Sequence, residues 1–204
     1  MTATVLTTAW VDERVDYDGA QLAAHWILAH TGIVGDALVA FRGACRVRDA
    51  EMADLADVGG PGIAGDDMLH FLMERFEDAP LECGVWRQRL FAVVVAEALA
   101  ARGLATRRDG DDLFVGDGKL SISIATRSPV STLLHFALNV VDTGTPVVTA
   151  ALADHGIDPR QLADDVLARF AAEDAGVRDA RAKVRAKGEW STGDPGVGRG
   201  GTES

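Results

Sequence analysis

Residues 119–140, with the sequence KLSISIATRSPVSTLLHFALNV, decide the fold. The stretch holds two runs rich in apolar and β-branched residues, which is the pattern of two β-strands. Asp117-Gly118, just before it, is a pair typical of a two-residue hairpin turn, and residues 104–108 supply a third strand-like piece. Together these pieces predict a three-strand meander, in which consecutive strands pair in opposite directions.

Side chains alternate between the two faces of a strand, which sorts both runs into an apolar face and a small polar face. In the first run the apolar face is formed by Leu120, Ile122 and Ile124, and the other face by Lys119, Ser121, Ser123 and Ala125. In the second run the apolar face is formed by Leu134, Phe136, Leu138 and Val140, and the other face by His135, Ala137 and Asn139. Small side chains leave room for a ligand and a few donors orient it, so the polar faces predict the floor of a binding site. An ordinary solvated sheet face is the alternative.

Lys119 is the residue that discriminates between these alternatives. It is one of three lysines in the chain, and the other two, Lys183 and Lys187, lie near the C-terminus. At the head of the polar strand face, its ammonium would meet a carboxylate or phosphate of a substrate. The alternative is a solubilising lysine at the edge of a hairpin.

Helices are predicted on both sides of the meander. Residues 85–102 form the longest element, and apolar residues occupy almost every face of it, so this helix should be central. Residues 159–187 form the last helix, with Pro159 in its first turn and a break near residues 174–177. Shorter helices are predicted at residues 22–30, 50–58, 66–76 and 147–154, a first strand at residues 3–11, and a hairpin or bulged strand at residues 36–47.

This order of elements predicts the fold class. Strands in consecutive hairpins, with helices grouped before and after them, favour an α+β fold with a mixed, mainly antiparallel sheet flanked by helices over a parallel sheet. The length of 204 residues is that of one large domain, which we place at residues 1–188. Residues 189–204 are polar and rich in glycine, and they are predicted to form a disordered tail.

The composition bounds the partners and the compartment. Lys and Arg number 20 against 31 Asp and Glu, and the net charge of −11 disfavours nucleic acid and membrane surfaces as partners. The sequence has two cysteines that are far apart, an N-terminus unlike a signal peptide and no long apolar segment. These features predict a reduced, cytoplasmic protein. Five histidines without close clustering predict that there is no metal site.

Two segments of the deciding stretch resemble the motifs of a known superfamily. KLS at residues 119–121 and HFALNV at residues 135–140 are similar to the K-[IL]-small and H-G-x-x-L-N-[VI] segments of one catalytic domain. That domain is shared by lipoate-protein ligases, biotin-protein ligases and octanoyltransferases. Over roughly residues 8–188 the chain also resembles an uncharacterised prokaryotic family known as domain of unknown function number 366, from VDYDGAQLAAHWI through GDDLFVGDGKLSISIAT to ARAKVR.

The superfamily resemblance implies a fold and a chemistry. It implies a domain like that of class II aminoacyl-tRNA synthetases, with a cleft that binds a carboxylic acid in extended form. The acid would be activated as an acyl-adenylate, with ATP and magnesium as cofactors, and passed to an acceptor such as a carrier protein. Lys119 would lie against the activated acyl group and stabilise the developing negative charge. The substrate would be bound by Ser121, Ser123, His135 and Asn139.

The chain departs from the superfamily pattern at two places. The ligases hold nucleotide with a Gly-rich loop that carries arginines, whereas GGPGIAG at residues 59–65 has none, so the use of a nucleotide stays open. The octanoyltransferases carry a nucleophilic cysteine where this chain has DHGI at residues 154–157. This difference excludes a covalent thioester at that position.

Three further residues are candidates for substrate binding. Arg42 belongs to a group of arginines that suit an anion, and surface ion pairs are the alternative for this group. Asp18 and His25 lie in the polar segment DYDGAQLAAHW, which suggests a second wall of the site. A turn stabilised by the Asp18 side chain is the alternative there.

The sequence thus predicts an acyl- or acid-activating transferase or ligase that acts on a small carboxylic acid, with Lys119 at its centre. A non-catalytic protein that binds a small molecule on the same scaffold is the alternative, because the nucleotide loop is missing. The expected partners are the acid and an acyl-accepting carrier protein, and a homodimer is one expected assembly.

Overall fold

The computed structural model describes residues 6–184 and residue 187. These residues form eight strands, which are β1 (Thr7–Trp10), β2 (Ala37–Val47), β3 (Ile63–Arg75), β4 (Arg107–Asp109), β5 (Asp112–Val115), β6 (Gly118–Lys119), β7 (Ser121–Arg127) and β8 (Thr132–Asn139). They also form three α-helices, which are α1 (Trp26–Thr31), α2 (Leu81–Ala100) and α3 (Pro159–Lys183). The tail predicted at residues 189–204 lies outside the described residues.

The strands form two sheets of unequal size. The large sheet has the order β1-β2-β3-β8-β7, and the small sheet has the order β4-β5-β6. In the large sheet β1 runs parallel to β2, and the other neighbouring strands are antiparallel. Helices α2 and α3 pack on one face of the large sheet. The predicted α+β fold, with a mixed, mainly antiparallel sheet flanked by helices, is confirmed.

Phe91 of α2 is at the centre of the core between the large sheet and the helices. Its ring contacts those of Phe71 in β3, Phe136 in β8 and Phe170 in α3, with centroids 5.3, 5.3 and 5.0 Å away. The rings meet at steep angles, an arrangement that adds attraction beyond the burial of apolar area. The predicted central helix is therefore confirmed, and so is the apolar face of β8 to which Phe136 belongs.

The helix predicted at residues 66–76 is wrong, because this segment belongs to β3. β3 is the middle strand of the large sheet, and residues 68–73 are all buried because both of its faces are covered. A strand of this kind shows no alternation, so its continuous apolar run resembles that of a buried helix. Its neighbour β2 is one bulged strand, with a register shift between Gly43 and Cys45, which is one of the two predicted forms.

Three other predicted helices are absent or shorter within the described residues. After the 3-10 helix Asp49–Glu51 the chain is irregular and then forms turns up to residue 59. Met52 is buried but Leu55 is 87% exposed, so this segment buries no continuous apolar face. Residues 147–154 are extended up to the 3-10 helix Ala153–His155, because the backbone near Thr149 pairs with β6. The helix predicted at residues 22–30 is α1, which begins only at Trp26.

The predicted three-strand meander is divided between the two sheets. Strands β4, β5 and β6 pair with one another, whereas β7 and β8 belong to the large sheet. The chain crosses from one sheet to the other at Leu120, whose side chain is buried and whose N–H donates to the carbonyl of Leu113 at 2.8 Å. The turn between β5 and β6 consists of Gly116 and Asp117, one residue earlier than predicted.

Helix α3 runs without interruption, so the break predicted near residues 174–177 is wrong. Asp174 faces the sheet, where its side chain is only 10% exposed and pairs with Arg75 of β3. The carboxylate also accepts a hydrogen bond at 2.9 Å from Arg178, one turn further along the helix. These contacts hold α3 against the sheet at the place where the sequence suggests a break.

We expect Asp174→Asn to lower the free energy of unfolding by about 3 kcal/mol, because it leaves the buried Arg75 guanidinium with a weaker counter-charge. Asp36, 3.4 Å from Nε of Arg75, keeps the loss at the low end of the usual range. Asp164→Asn in the same helix is the control, since its pair with Arg160 is half exposed and should contribute no more than about 0.5 kcal/mol. Urea unfolding measures the free energy of unfolding of both variants. Equal losses would show that the buried pair of Asp174 and Arg75 stabilises the protein no more than the exposed pair does.

Candidate functional site

A cavity of about 400 Å³ opens beside β7, the edge strand of the large sheet. We call it the Lys119 cavity, and its walls come from the small sheet, the segment before β3 and the segment after β8. Its lining residues are Asp54, Asp57, Pro61, Gly62, Ile63, Ala64, Met68, Asp111, Asp112, Lys119, Ser121, Ile122, Ser123, Asn139, Thr145, Pro146, Val147 and Thr149. The predicted site residues that meet here are Lys119, Ser121, Ser123 and Asn139.

The backbone of Lys119 is fixed on both sides. Its N–H donates to the carbonyl of Val148 at 3.1 Å, and its carbonyl accepts from the N–H of Ala150 at 3.1 Å. Gly118 permits this close approach, because a Cβ atom at that position would lie 2.8 Å from the nitrogen of Ala150. The lysine therefore extends into the cavity from a rigid support.

The ammonium of Lys119 is paired with a carboxylate of the same cavity. Its Nζ lies 2.8 Å from Oδ2 of Asp112, and the two side chains are 32% and 29% exposed. Burial raises the pKa of Asp112 above its ordinary value, although Lys119 acts in the opposite direction. The neighbouring Asp111 and Asp109 also raise this pKa through charge repulsion. The ion pair is thus partly desolvated, and Asp112 holds the lysine in place without enclosing it.

Asn139, at the end of β8, hydrogen-bonds to the backbone of Lys119. Its amide Nδ2 donates to the carbonyl of Lys119 at 3.0 Å and to that of Ala150 at 3.2 Å. The side chain is 4% exposed, so both bonds are made inside the protein. The structure therefore gives the amide group of Asn139 a role in positioning the lysine strand, at the wall of the cavity.

Ser121 and Ser123 lie on the opposite face from the one predicted. In β7 they pair with Leu138 and Phe136, so their side chains face the helices, and Ile122 is the residue that shares the face of Ala137. The alternation shifts by one residue at Leu120, where the chain changes sheets, because Leu120 and Ser121 are both buried on the helix side.

The hydroxyl groups of both serines are bound within the protein. The Oγ of Ser121 accepts from the N–H of Leu113 at 2.8 Å. The Oγ of Ser123 donates to Asp111 at 2.5 Å and accepts from the amide of Gln88 at 2.8 Å. These hydrogen bonds connect β7 with the small sheet and with α2. The wall of the Lys119 cavity that contains the two serines is therefore rigid.

His135 lies in a second cavity, of about 40 Å³, which we call the His135 cavity. Its Nε2 lies 3.0 Å from Nδ1 of His70, and the ring of Tyr17 stacks on it with centroids 3.7 Å apart. Desolvation lowers the pKa of His70 to about 4 and lowers that of His135 well below its ordinary value. Both imidazoles are therefore neutral at pH 7.

The structure does not bring Arg42, Asp18 or His25 to either cavity, within the lining of described residues. Arg42 binds both carboxylate oxygens of Asp67, at distances from 2.5 to 3.0 Å, which is the ion-pair alternative. Asp18 accepts from the N–H of Ala20 at 3.2 Å in the predicted turn. His25 has a positive φ of 66°, and its backbone N–H donates to the carboxylate of Glu74. Glu74 lies at the C-terminal end of β3, whereas the Lys119 cavity is lined by the N-terminal part of that strand.

Several residues of the two cavities were not singled out from the sequence. Asp111 and Asp112 belong to the run DGDD before the hairpin, and Arg89 pairs with Asp111 at 3.0 Å. His70 lies in the segment that the sequence predicts as a helix, and the sequence assigns no role to Tyr17. No sequence signal joins Tyr17 to His135, because they are far apart in the chain.

Two kinds of feature are absent from the described residues. Among residues 6–184 and 187, no group of three His, Cys, Asp or Glu side chains is arranged to hold a metal ion. None of the helices in that part of the chain is both long enough and apolar enough to cross a membrane.

The class of protein follows from the fold and its solved neighbours. The chain has the fold of the biotin and lipoate protein ligases. It is similar to a biotin protein ligase from Aquifex aeolicus in complex with biotin and ATP, with a TM-score of 0.53 and 13% identity, over 87% of this chain and 72% of the ligase. An identity this low shows the shared fold alone.

The particular family is shown by closer relatives. The chain belongs to the family described as Domain of unknown function (DUF366), which matches residues 6–185. It is 32% identical to the uncharacterized protein MJ0805 of Methanocaldococcus jannaschii, over 82% of this chain and 79% of that protein. A protein of unknown function from Pyrococcus horikoshi has a TM-score of 0.86 and 37% identity, over 90% of this chain and 100% of the other. The resemblance to this family found in the sequence is confirmed, and the resemblance to the ligases is confirmed at the level of the fold.

The buried histidines predict a loss of stability in mild acid. In the unfolded chain they bind protons near pH 6.5, whereas the pKa of His70 in the folded protein is about 4. Below pH 6.5 the unfolded state therefore holds more protons, so the stability that is present above pH 6.5 is lost as the pH falls. Between pH 7 and pH 5 we expect the free energy of unfolding to decrease by about 2 kcal/mol for each of the two histidines.

Chemical denaturation at a series of pH values measures this slope. His135→Phe should remove about half of it, while His155→Gln, a change at an exposed histidine, should leave it unchanged. The same slope in wild type and His135→Phe would show that this histidine is protonated in the folded protein.

Proposed function

We propose that this protein binds a small carboxylic acid, or its activated acyl form, in the Lys119 cavity and acts as an acyl- or acid-activating transferase or ligase. The observation that carries the proposal is Lys119 itself. Its ammonium is the one cation among the lining residues of a 400 Å³ cavity, on the fold of the biotin and lipoate protein ligases. A rigid backbone holds it there, which is what electrostatic stabilisation of a reacting group requires.

The chemistry of acyl activation suits a lysine at this position. When a nucleophile attacks an activated carboxyl carbon, negative charge develops on the carbonyl oxygen and on the leaving group. A compact ammonium with three donors stabilises that charge in a partly desolvated site. In this proposal Asp112 holds Lys119 until an oxygen of the ligand takes over the contact.

The remaining charges of the cavity restrict the form of the ligand. Four carboxylates, Asp54, Asp57, Asp111 and Asp112, stand against Lys119 in the lining. The described lining does not fit a nucleotide triphosphate by itself, since it offers no arginine and no second lysine to three phosphate groups. For this reason we derive no step through ATP, and the acyl-transfer form of the reaction, in which the acyl group arrives already activated, is the simpler one here.

The acyl group in that reaction passes directly to its acceptor. Cys45 is buried, and burial raises the pKa of its thiol to about 12, so it is not a nucleophile. Cys83 is exposed on α2, and it does not belong to the lining of the Lys119 cavity. The bond between the acyl carbon and its leaving group then breaks as the acceptor nucleophile attacks, without an acyl-cysteine intermediate.

A non-catalytic binding protein on the same scaffold is the second candidate. It is favoured by the surplus of carboxylates and by the fact that Asp112 already neutralises Lys119. A cavity of this charge would bind a neutral or cationic molecule without any exchange of ion pairs. The two candidates differ in the ligands that they bind, and a binding screen separates them.

We expect a carboxylic acid to stabilise the protein in a thermal-shift screen of lipoate, octanoate and biotin, each with and without ATP. A ligand at about 100 times its Kd should raise the melting temperature by about 5 to 10 °C. ATP should add to this shift only in a ligase. No shift with any acid, together with a neutral or cationic molecule found bound to the purified protein by native mass spectrometry, would favour the second candidate.

Two substitutions with opposite expected effects test the role of Lys119. Lys119→Ala should weaken binding of the acid and lower kcat by about 100-fold to 1,000-fold, the effect of losing one donor to a developing negative charge. Asp112→Asn should increase affinity for the acid about threefold to fivefold, because it removes a competitor held in a partly exposed ion pair. Lys183→Ala, at an exposed lysine of α3, is the control. Calorimetric titration measures the affinities, and full activity in Lys119→Ala would refute the mechanism.

A further inference from the structure

The His135 cavity continues from the wall of the Lys119 cavity. Both are lined by Asp54, Asp57, Ile63, Ile122 and Ser123, so the two spaces meet at β7 and at the start of β3 with the segment before it. Beyond that shared wall the lining of the His135 cavity is mainly apolar, with His135 and Tyr17 at its inner side. A ligand with its acid group at Lys119 and its chain along Ile122 would extend toward this space.

The hydrogen bonds of the two buried histidines determine which ring nitrogen carries a proton. Nε2 of His70 lies 3.3 Å from the carbonyl oxygen of Gly43, which only accepts, so this nitrogen carries the proton. The neutral ring then has a lone pair on Nδ1, and Nε2–H of His135 donates to it at 3.0 Å. The remaining nitrogen, Nδ1 of His135, is left with a lone pair and no proton.

That lone pair is available to a ligand. Among the described residues, no group hydrogen-bonds to Nδ1 of His135, whose ring lines the cavity. This nitrogen also keeps some exposed surface. If it were fully enclosed, it would be a buried atom without a partner, and Nε of Arg75 is the one such side-chain nitrogen or oxygen in the described part of the chain. The cavity thus presents a hydrogen-bond acceptor to whatever enters it.

Stacked rings keep this acceptor in one orientation. Tyr17 lies parallel to His135, with an angle of 9° between the ring planes, and Phe41 lies nearly parallel to His70, with centroids 5.0 Å apart. The carbonyl at the end of the chain of hydrogen bonds belongs to Gly43, where a Cβ atom would lie 1.9 Å from the carbonyl oxygen of Val15. The backbone is therefore fixed as well, and the direction of the lone pair is set before a ligand binds.

We infer that the His135 cavity selects the far end of the ligand, and that it prefers a far end that carries an N–H or O–H donor. This inference rests on the proposed function, since it takes the acid group of the same ligand to lie against Lys119. A donor would complete the chain of hydrogen bonds from Gly43 through His70 and His135. An apolar end would cover the lone pair and leave it unpaired, and sites built in this way discriminate strongly against analogues that lack the matching group.

Matched acids test the preference directly. Calorimetric titration would compare 8-hydroxyoctanoic acid with octanoic acid, and biotin, whose ring carries two N–H groups, with lipoic acid, whose ring has none. We expect at least one of the donor-bearing acids to bind tenfold or more tightly than its partner. In His135→Phe, which keeps the stacked ring and removes the acceptor, the ratio should fall to about one. His155→Phe, at an exposed histidine, should keep the wild-type ratio.

A measurement on the unliganded wild-type protein covers the case in which His135→Phe does not fold. Long-range proton–nitrogen correlation spectra of protein labelled with 15N-histidine report which ring nitrogen is protonated. We expect Nε2 protonated and Nδ1 unprotonated in both His70 and His135 at pH 7. A proton on Nδ1 of His135 would overturn the inference, because the cavity would then present a donor.

The outcomes separate this inference from the proposed function. If both acids of each pair bind equally and Lys119→Ala still weakens them, the preference at His135 is refuted and the role of Lys119 stands. If none of the four acids binds, the proposed function and the inference both fail. Tighter binding of the apolar partner in each pair would also refute the inference, and it would leave the site of the acid group unchanged.

Discussion

The pairing of the buried polar side chains of β3 is the constraint on which the rest of the structure depends. Both faces of this strand are covered, so each polar group on it must find a partner inside the protein or cost about 1 to 3 kcal/mol. The three groups reach three different parts of the chain: His70 binds β8, Glu74 binds the segment before α1, and Arg75 binds α3. One strand thereby sets the positions of the sheet, the N-terminal segment and the last helix.

The Lys119 cavity lies at the edge of the same sheet that β7 forms. β8 lies between β3 and β7, so β7 has a free edge, and the chain enters it from the small sheet at Leu120. At that crossing the backbone of Lys119 is held by Asn139 and by residues 148–150, which run alongside it. The lysine stands where two sheets meet, and its surroundings come from segments that are distant in sequence.

The parts of the fold that were predicted correctly have sequence patterns that match the packing of each face. β8 is buried throughout, and it alternates in polarity because one face meets Phe91 while the other carries His135 and Asn139. Helix α2 has a broad apolar surface because the large sheet, the small sheet and α3 all contact it. The missed parts depend on tertiary contacts. β3 reads as a helix because both of its faces are buried, and the serines of β7 change sides because the alternation shifts at Leu120. Lys119 could be found from its motif, whereas its partner Asp112 required the pairing of β5 with β6.

The charges of the cavity argue for recognition at two points. An acid that reaches Lys119 must replace Asp112 and tolerate the other nearby carboxylates, so the exchange of one carboxylate for another gains little free energy by itself. The affinity for the correct ligand must then come from contacts beyond the acid group. The apolar wall at Ile122 and the fixed acceptor at His135 lie on the side where such contacts can form. The excess of acidic residues behind the net charge of −11 extends into the cavity, whose lining holds four carboxylates and one lysine. In our proposal the selection of a ligand therefore depends on that lysine and on one neutral imidazole.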